Sequence, residues 1–361
     1  MLNYYKTINI QTVAGQSADT SILVIYTGGT IGMDYDRQTK TLVPFNFTKI
    51  LEKVPELTRF DFELTVLSLR NPLDSANFTS ENWVNIARMI YDFYSDYDAF
   101  VILHGTDTMA YSASAVSYLL QNIGKPVIFT GSQLPIGMTR TDARENFISA
   151  LEIAASKTNG KASVPEVCIF FDNLLLRGNR ARKVQSVNFT AFESENYPPL
   201  AVAGVTIDFN ENYIMPHSTD PFYFYNKVEN NVLILKIFPS IQPNYLENIL
   251  GMEGLKGVVL ETYGAGTAPT SPFFIKSLEN AIQKGVIIYN VSQCNGGRVV
   301  QSIYETSHKL AEIGVISGND ITPEAAITKL MFLLANESDQ NVIRQKLKSP
   351  ICGEMSIPLE K

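Results

Sequence analysis

Two uninterrupted apolar runs, residues 21–26 and 99–103, constrain the fold of this chain more than any other feature. A strand that is apolar at every position must be covered on both faces. That is the condition of a parallel sheet lying between helices. Each run ends in a glycine-flanked threonine. The first continues Tyr26-Thr27-Gly28-Gly29-Thr30-Ile31-Gly32, and the second continues His104-Gly105-Thr106-Asp107-Thr108-Met109-Ala110. Two hydroxyls, one beside a carboxylate, are thereby expected at the carboxyl ends of strands, where open α/β sheets bind their ligands.

The alternation continues along the chain. Residues 63–69, 126–130 and 167–171 read as further strands, and 80–93, 107–120 and 141–155 as helices, with Thr79 or Ser80 as a cap. The runs 174–177 and 180–184 flank Gly178-Asn179, a turn signature that predicts a hairpin there. A stretch rich in proline, asparagine and aromatics follows. Beyond it, strands at 232–238, 257–262 and 286–291 alternate with helices, and Thr322-Pro323 is expected to open a long one. The reading is therefore an α/β protein of two domains. It has an arm at 1–20, a larger parallel-sheet α/β domain at 21–205, a linker at 206–230 and a smaller α/β domain at 231–361.

The net charge of −7 argues against a nucleic-acid surface, which requires a clustered basic excess. No apolar run reaches the roughly 18 residues of a membrane helix, and residues 1–20 lack the pattern of a secretory signal. Cys168, Cys294 and Cys352 have no metal or redox spacing, and the first two are expected to be buried free thiols. These features fit a reducing compartment and show no metal-binding or redox spacing among the cysteines.

The residues near the two motifs admit more than one role. Thr30 is a nucleophile only if a base activates it, while Gly28 and Gly29 let a ligand approach the backbone. A phosphate-cradling turn fits that motif equally well, although no P-loop lysine follows. Asp107 reads as a helix cap or as a catalytic carboxylate. Lys183 reads as part of a solvated basic face, or as a partner for Asp107 and for the hydroxyl of Thr106. Asp74-Ser75 reads as a turn.

Taken together, these motifs resemble the type I, bacterial-type cytosolic L-asparaginases of the asparaginase/glutaminase family. The resemblance runs from about Ser21 onward. It includes Gly131-Ser132-Gln133-Leu134-Pro135, Tyr263-Gly264-Ala265-Gly266 and Gly314-Val315-Ile316-Ser317-Gly318. It implies hydrolysis of the L-asparagine side-chain amide through an acyl-enzyme on Thr30, with Thr106, Asp107 and Lys183 as a second catalytic group. It implies substrate binding by Gly29, Asp74, Ser75, Gly105 and Ser132. The family's active site lies near the domain junction and is completed by a neighbouring subunit, so a homodimer or homotetramer is expected. Three positions depart from the family pattern. Leu42 stands where a loop tyrosine is usual, which leaves Tyr304 and Tyr35 as alternative phenols to activate Thr30. Thr267 replaces an asparagine. Glu261 replaces the arginine of a regulatory site, so regulation is not expected. Two other readings share these motifs: an asparagine-binding sensor without turnover, and the ammonia-generating subunit of a Glu-tRNA amidotransferase. The second is disfavoured by the negative charge and by the shortness of the segment before residue 21.

Overall fold

The computed structural model describes residues 5–12, 18–36, 41–44, 50–301 and 305–357. It divides into two compact units, residues 1–194 with 198–224 and residues 195–197 with 225–361.

The first unit is built on a nine-stranded sheet. Its strands are β1 (Tyr5–Ile10), β2 (Ser21–Gly28), β3 (Glu63–Leu73), β4 (Ala99–Leu103), β5 (Val127–Thr130), β6 (Val167–Phe171), β7 (Leu174–Arg177), β8 (Ala201–Ala203) and β9 (Ile207–Phe209). Their spatial order is β1-β3-β2-β4-β5-β6-β7-β8-β9. The five central strands, β3-β2-β4-β5-β6, are parallel. β4, β5 and β6 are buried at every position, as their unbroken apolar character requires. The sheet as a whole is mixed, because β1 and β7 to β9 add antiparallel at the two edges. The expected parallel sheet is its five-stranded centre, and the antiparallel edges are an addition to it. Within the 1–20 arm, β1 lies along β3.

Three helices flank the sheet: α1 (Ser80–Asp92), α2 (Met109–Leu119) and α3 (Ala143–Ala155). In α1, Trp83, Ile86, Ala87 and Ile90 are buried at helical spacing. Its start is fixed by Asn82 Oδ1, which accepts from both the backbone N–H and the hydroxyl of Thr79, at 2.7 and 3.0 Å. α2 is buried nearly all round, and its small residues Ala113, Ser114 and Ser117 allow close packing.

The expected hairpin at Gly178-Asn179 is corrected. The reversal lies one strand earlier, at Asp172-Asn173, where φ is 47° and 68° and β6 turns antiparallel into β7. Two successive positive φ values match the strand twist, and Asp and Asn tolerate them without glycine. Residues 182–183 pair instead with Phe192–Glu193. The stretch 206–230 is not simply a connection. β9 lies in the large sheet, Tyr223–Phe224 pairs with Leu120–Gln121, and the division between the units falls after Phe224. A buried pair secures this stretch. Glu166 takes Arg177 Nε at 2.5 Å and the backbone N–H of Met215 at 2.8 Å, while Arg177 Nη2 reaches the Tyr213 carbonyl at 2.9 Å.

The second unit carries a four-stranded parallel sheet in sequence order: β10 (Val232–Lys236), β11 (Gly257–Thr262), β12 (Ile287–Ser292) and β13 (Ile316–Ser317). On one face, Leu235, Val258, Leu260 and Ile288 pack with Leu246 and Leu250 of α4 (Pro243–Leu250), Phe274 and Leu278 of α5 (Pro272–Gln283) and Leu310 of α6 (Glu305–Glu312). Each such side chain contributes about 1.5–3 kcal/mol on burial. The other face receives α7 (Pro323–Asn336), whose Leu330 packs so close to Gly257 that a Cβ there would come within 2.7 Å of it. Pro323 opens α7, and Thr322 Oγ1 accepts from Ala325 N at 3.2 Å, as expected. Cys168 is buried, but Cys294 is exposed, which corrects the reading of two buried thiols: it lies in the bend that follows β12. No helix among the described residues is long and apolar enough to cross a membrane.

Candidate active site

The central order β3-β2-β4-β5-β6 reverses between β2 and β4. In chain order β3 lies on one side of β2, and every later parallel strand lies on the other. Such a switch point leaves a crevice at the carboxyl ends of the two strands. The β2 end is Gly28-Gly29-Thr30 and the β4 end is Gly105-Thr106-Asp107.

Glycines let the three neighbouring strand ends interlock. Gly28 and Gly29 have φ of 132° and 86°, which side-chain-bearing residues rarely adopt. A Cβ on Gly28 would meet the Leu73 carbonyl oxygen at 2.1 Å, and one on Gly29 would meet Gly105 Cα at 2.5 Å. A Cβ on Gly105 would in turn come within 2.6 Å of Ser75 Oγ. Thr108 Oγ1 donates to the Ser75 carbonyl at 2.8 Å. Thr27 Oγ1 donates to the Leu103 carbonyl at 2.9 Å. The loops bearing Thr30, Ser75 and Thr106 are thus in direct backbone contact.

Thr30 begins a single 3₁₀ turn, Thr30–Gly32, and is partly buried. Among the described residues its hydroxyl has no hydrogen-bond partner. Tyr26 lies beneath this turn and donates to the Gly32 carbonyl at 3.0 Å. Burial pushes the Tyr26 phenol up to about 12, so it supports the turn as a neutral donor and does not serve as a base at neutral pH.

Thr106–Thr108 form a second 3₁₀ turn ahead of α2. Lys183 comes from the short strand pairing with Phe192–Glu193, and its side chain is 16% exposed. Its Nζ donates to Thr106 Oγ1 at 2.7 Å and to Asp107 Oδ1 at 2.6 Å. The solvated-face reading of Lys183 is therefore set aside. So is the reading of Asp107 as a cap: Gly105 and Thr108 occupy the cap positions, without side-chain bonds. Asp107 is 65% exposed, so its carboxylate is open to a solute.

Asp74 is exposed, and its Oδ1 accepts from Ala76 N at 3.0 Å, the bond of an Asx turn. Ser75 is buried against Gly105. Ser132 is also buried, and its hydroxyl donates to the Leu134 carbonyl at 2.6 Å, so that proton is engaged locally. Sequence reading missed what holds this loop. Asp142 accepts the N–H groups of Gln133 and Leu134 at 2.9 and 3.0 Å, and Asn146 Nδ2 donates to the Gly131 carbonyl at 3.0 Å. Asp142 immediately precedes α3 and Asn146 lies within it, and neither belongs to a motif.

Tyr304 lies outside the described residues, as do the side chains of Tyr35 and Leu42. The backbone pairs Tyr35 with Leu42 across the hairpin Met33–Asp36 with Thr41–Pro44. In the second unit Thr267 bridges back to Tyr263, and Glu261 lies 3.7 Å from Lys236. Among the described residues no group of three or more His, Cys, Asp or Glu side chains could hold a metal ion.

The N-terminal asparaginase domain matches residues 21–215, and the glutaminase/asparaginase C-terminal domain matches residues 231–347. The chain belongs to the asparaginase family. It is 40% identical to L-asparaginase 1 of Escherichia coli K12 over 337 residues, which is 93% of this chain and 98% of that protein. The crystal structure of L-asparaginase I from Vibrio cholerae superposes with a TM-score of 0.85 at 37% identity, covering 94% of this chain and all of that one. The thermostable L-asparaginase from Thermococcus kodakarensis gives the same TM-score at 30% identity, covering 93% and 99%. The two-domain asparaginase fold, with its larger mixed-sheet domain and smaller parallel-sheet domain, follows from the same matches.

Proposed function

We propose that the protein hydrolyses the side-chain amide of L-asparagine to L-aspartate and ammonia. The observation that carries this reading is the Lys183 ammonium, bonded at once to the Thr106 hydroxyl and the Asp107 carboxylate, on a loop in backbone contact with the one that carries Thr30. Family membership and the asparaginase relatives support it further.

Thr30 Oγ1, giving its proton to a base, attacks the amide carbon and forms a tetrahedral oxyanion. The amide nitrogen takes up a proton, its bond to carbon breaks, and ammonia leaves. Water then attacks the resulting ester and releases L-aspartate with a regenerated hydroxyl. The fixed positive charge of Lys183 lowers the cost of removing the Thr106 proton, so that Thr106 serves as a relay. Asp107 holds that ammonium with one oxygen and offers the other to the substrate's α-ammonium. Asp74 and Ser75 grip the amino-acid end, and Gly29, Gly105 and the Ser132 loop line its bed. The protein acts as a cytoplasmic homodimer or homotetramer without a cofactor, a reading supported by the resemblance of its motifs to the type I asparaginases.

The test is stoichiometry. Purified protein given L-asparagine should release ammonia and L-aspartate in equal amounts, and in the Lys183→Met variant kcat should fall about 10²-fold or more. Saturable binding heat with no ammonia would overturn hydrolysis in favour of an asparagine sensor. L-glutamine differs by one methylene, worth only about 1–3 kcal/mol of discrimination, so its rate is to be measured alongside.

A further inference from the structure

The imidazole of His104 is fully buried between β4 and α2, and the mechanism above does not use it. It immediately precedes Gly105-Thr106-Asp107. Its Nδ1 lies 2.7 Å from the carbonyl oxygen of Gly105, and its Nε2 lies 2.9 Å from Ser112 Oγ on α2. A carbonyl oxygen can only accept, so Nδ1 carries the proton. Nε2 is then bare and accepts from the Ser112 hydroxyl. The two bonds fix one tautomer and one ring orientation. Aromatic rings hold the plane: the Phe78 centroid is 4.3 Å away and that of Phe129 is 5.9 Å away. Burial pushes the pKa of His104 down to about 4, offset in part by the bond to Gly105, so the ring is neutral at physiological pH.

The bonded carbonyl belongs to the peptide joining Gly105 to Thr106. In a planar trans peptide the C=O and the following N–H point in opposite directions. Anchoring the Gly105 oxygen on His104 therefore fixes where the Thr106 N–H points and where the Thr106 side chain begins. The backbone of His104 is tied down as well. Its N–H donates to the Thr130 carbonyl at 2.9 Å, and the Gly29 and Gly131 backbones press against it.

We propose that His104 is a positioning residue: as a neutral Nδ1–H imidazole held by Ser112, it sets the Gly105–Thr106 peptide and thereby the placement of the Thr106–Lys183 pair. This rests on the asparaginase reading of the site, but its structural half can be tested without turnover. Asparagine at this position can place an amide N–H near the Nδ1 location, whereas phenylalanine keeps the ring and loses both bonds.

The chain has only three histidines, His104, His217 and His308, so isotope-labelled histidine gives a resolvable spectrum. One ring should show a protonated Nδ1 and a bare Nε2 and stay neutral from about pH 8 to about pH 5, and its signal should vanish in His104→Asn. A protonated Nε2, or titration near the ordinary histidine value, would overturn the proposal whatever the activity. In kinetics on L-asparagine, His104→Phe should lower kcat by about 10²-fold with a smaller change in KM, since small misplacements carry costs of that order. His104→Asn should recover a large part of that loss, and Ser112→Ala should fall between wild type and His104→Phe. Equal losses in the Asn and Phe variants, or an unimpaired Phe variant, would contradict it. Should His104→Phe fail to fold, Ser112→Ala and the tautomer measurement still decide. A wild-type protein that releases no ammonia but shows the neutral tautomer would count against the asparaginase reading and not against the anchoring of Gly105.

Discussion

At Lys183 a single ammonium serves a hydroxyl and a carboxylate, and neither partner can be inferred from a lysine in an arginine-rich segment. Lys183 and Asp107 are 76 residues apart, so only the fold brings them together. The resemblance supplied the pairing in advance, whereas local composition alone pointed to a solvated face. The place of Thr30 just past a strand end was legible for the opposite reason: the glycines before it mark that end chemically. His104 was invisible as more than a motif letter, because its role depends on Ser112 and on the direction of one carbonyl. It also makes a stability prediction. Its folded pKa of about 4 lies below the ordinary 6.5. Above pH 6.5 neither state binds the proton. As pH falls from there toward 4, the unfolded chain takes up a proton that the fold refuses, so stability is lost across that window. The shift corresponds to about 3 kcal/mol. Chemical denaturation at about pH 7 and about pH 4.5 should show a larger loss for wild type than for His104→Asn, and equal losses would refute the assignment.

Among elements, the segment after α7 is held by a buried ion pair. Lys329 of α7 and Glu354 lie 2.7 Å apart and are both wholly buried. Lys329 also donates to the Ser349 carbonyl at 2.7 Å, and Glu354 accepts from Ile351 N and Cys352 N. Burial pulls the Lys329 pKa down, and Glu354 opposes that. Removing one partner strands the other, so Glu354→Ala should cost about 3–5 kcal/mol in denaturant unfolding, while Lys329→Met with Glu354→Leu should cost much less. A mild loss in the single variant would show that the pair is dispensable. The element pattern explains which features could be read from sequence. β4 and β6 were legible because burial on both faces forces unbroken apolar runs. The hairpin was misplaced because Gly178-Asn179 has the commoner turn composition, while Asp172-Asn173 reaches the same backbone without glycine. β8 and β9 are three-residue strands too short to show a period.

On the scale of the molecule, the sheet order decides where chemistry can occur. The chain leaves β2 for one side of the sheet and β4 for the other, and the two glycine-threonine motifs sit on the carboxyl ends of these adjacent strands. Close backbone approach is the condition for that crevice. Gly29→Ala would place a methyl 2.5 Å from Gly105 Cα, in a backbone conformation that alanine rarely adopts. It should abolish ammonia release and lower the melting temperature, whereas a soluble, active Gly29→Ala protein would mean that the loops are not interlocked. The antiparallel edges and the ordered residues 207–224 were not legible. They depend on pairing with distant strands, and their local composition is that of a connection.

The proposed hydrolysis turns on Thr30, and the most direct measurement is ammonia release from L-asparagine by wild-type protein and by Thr30→Ala at matched concentration, with circular dichroism confirming the fold of both. Steady release by wild type and none above background from the variant are expected. Release at the wild-type rate by folded Thr30→Ala would contradict that expectation and move the nucleophile elsewhere in the crevice.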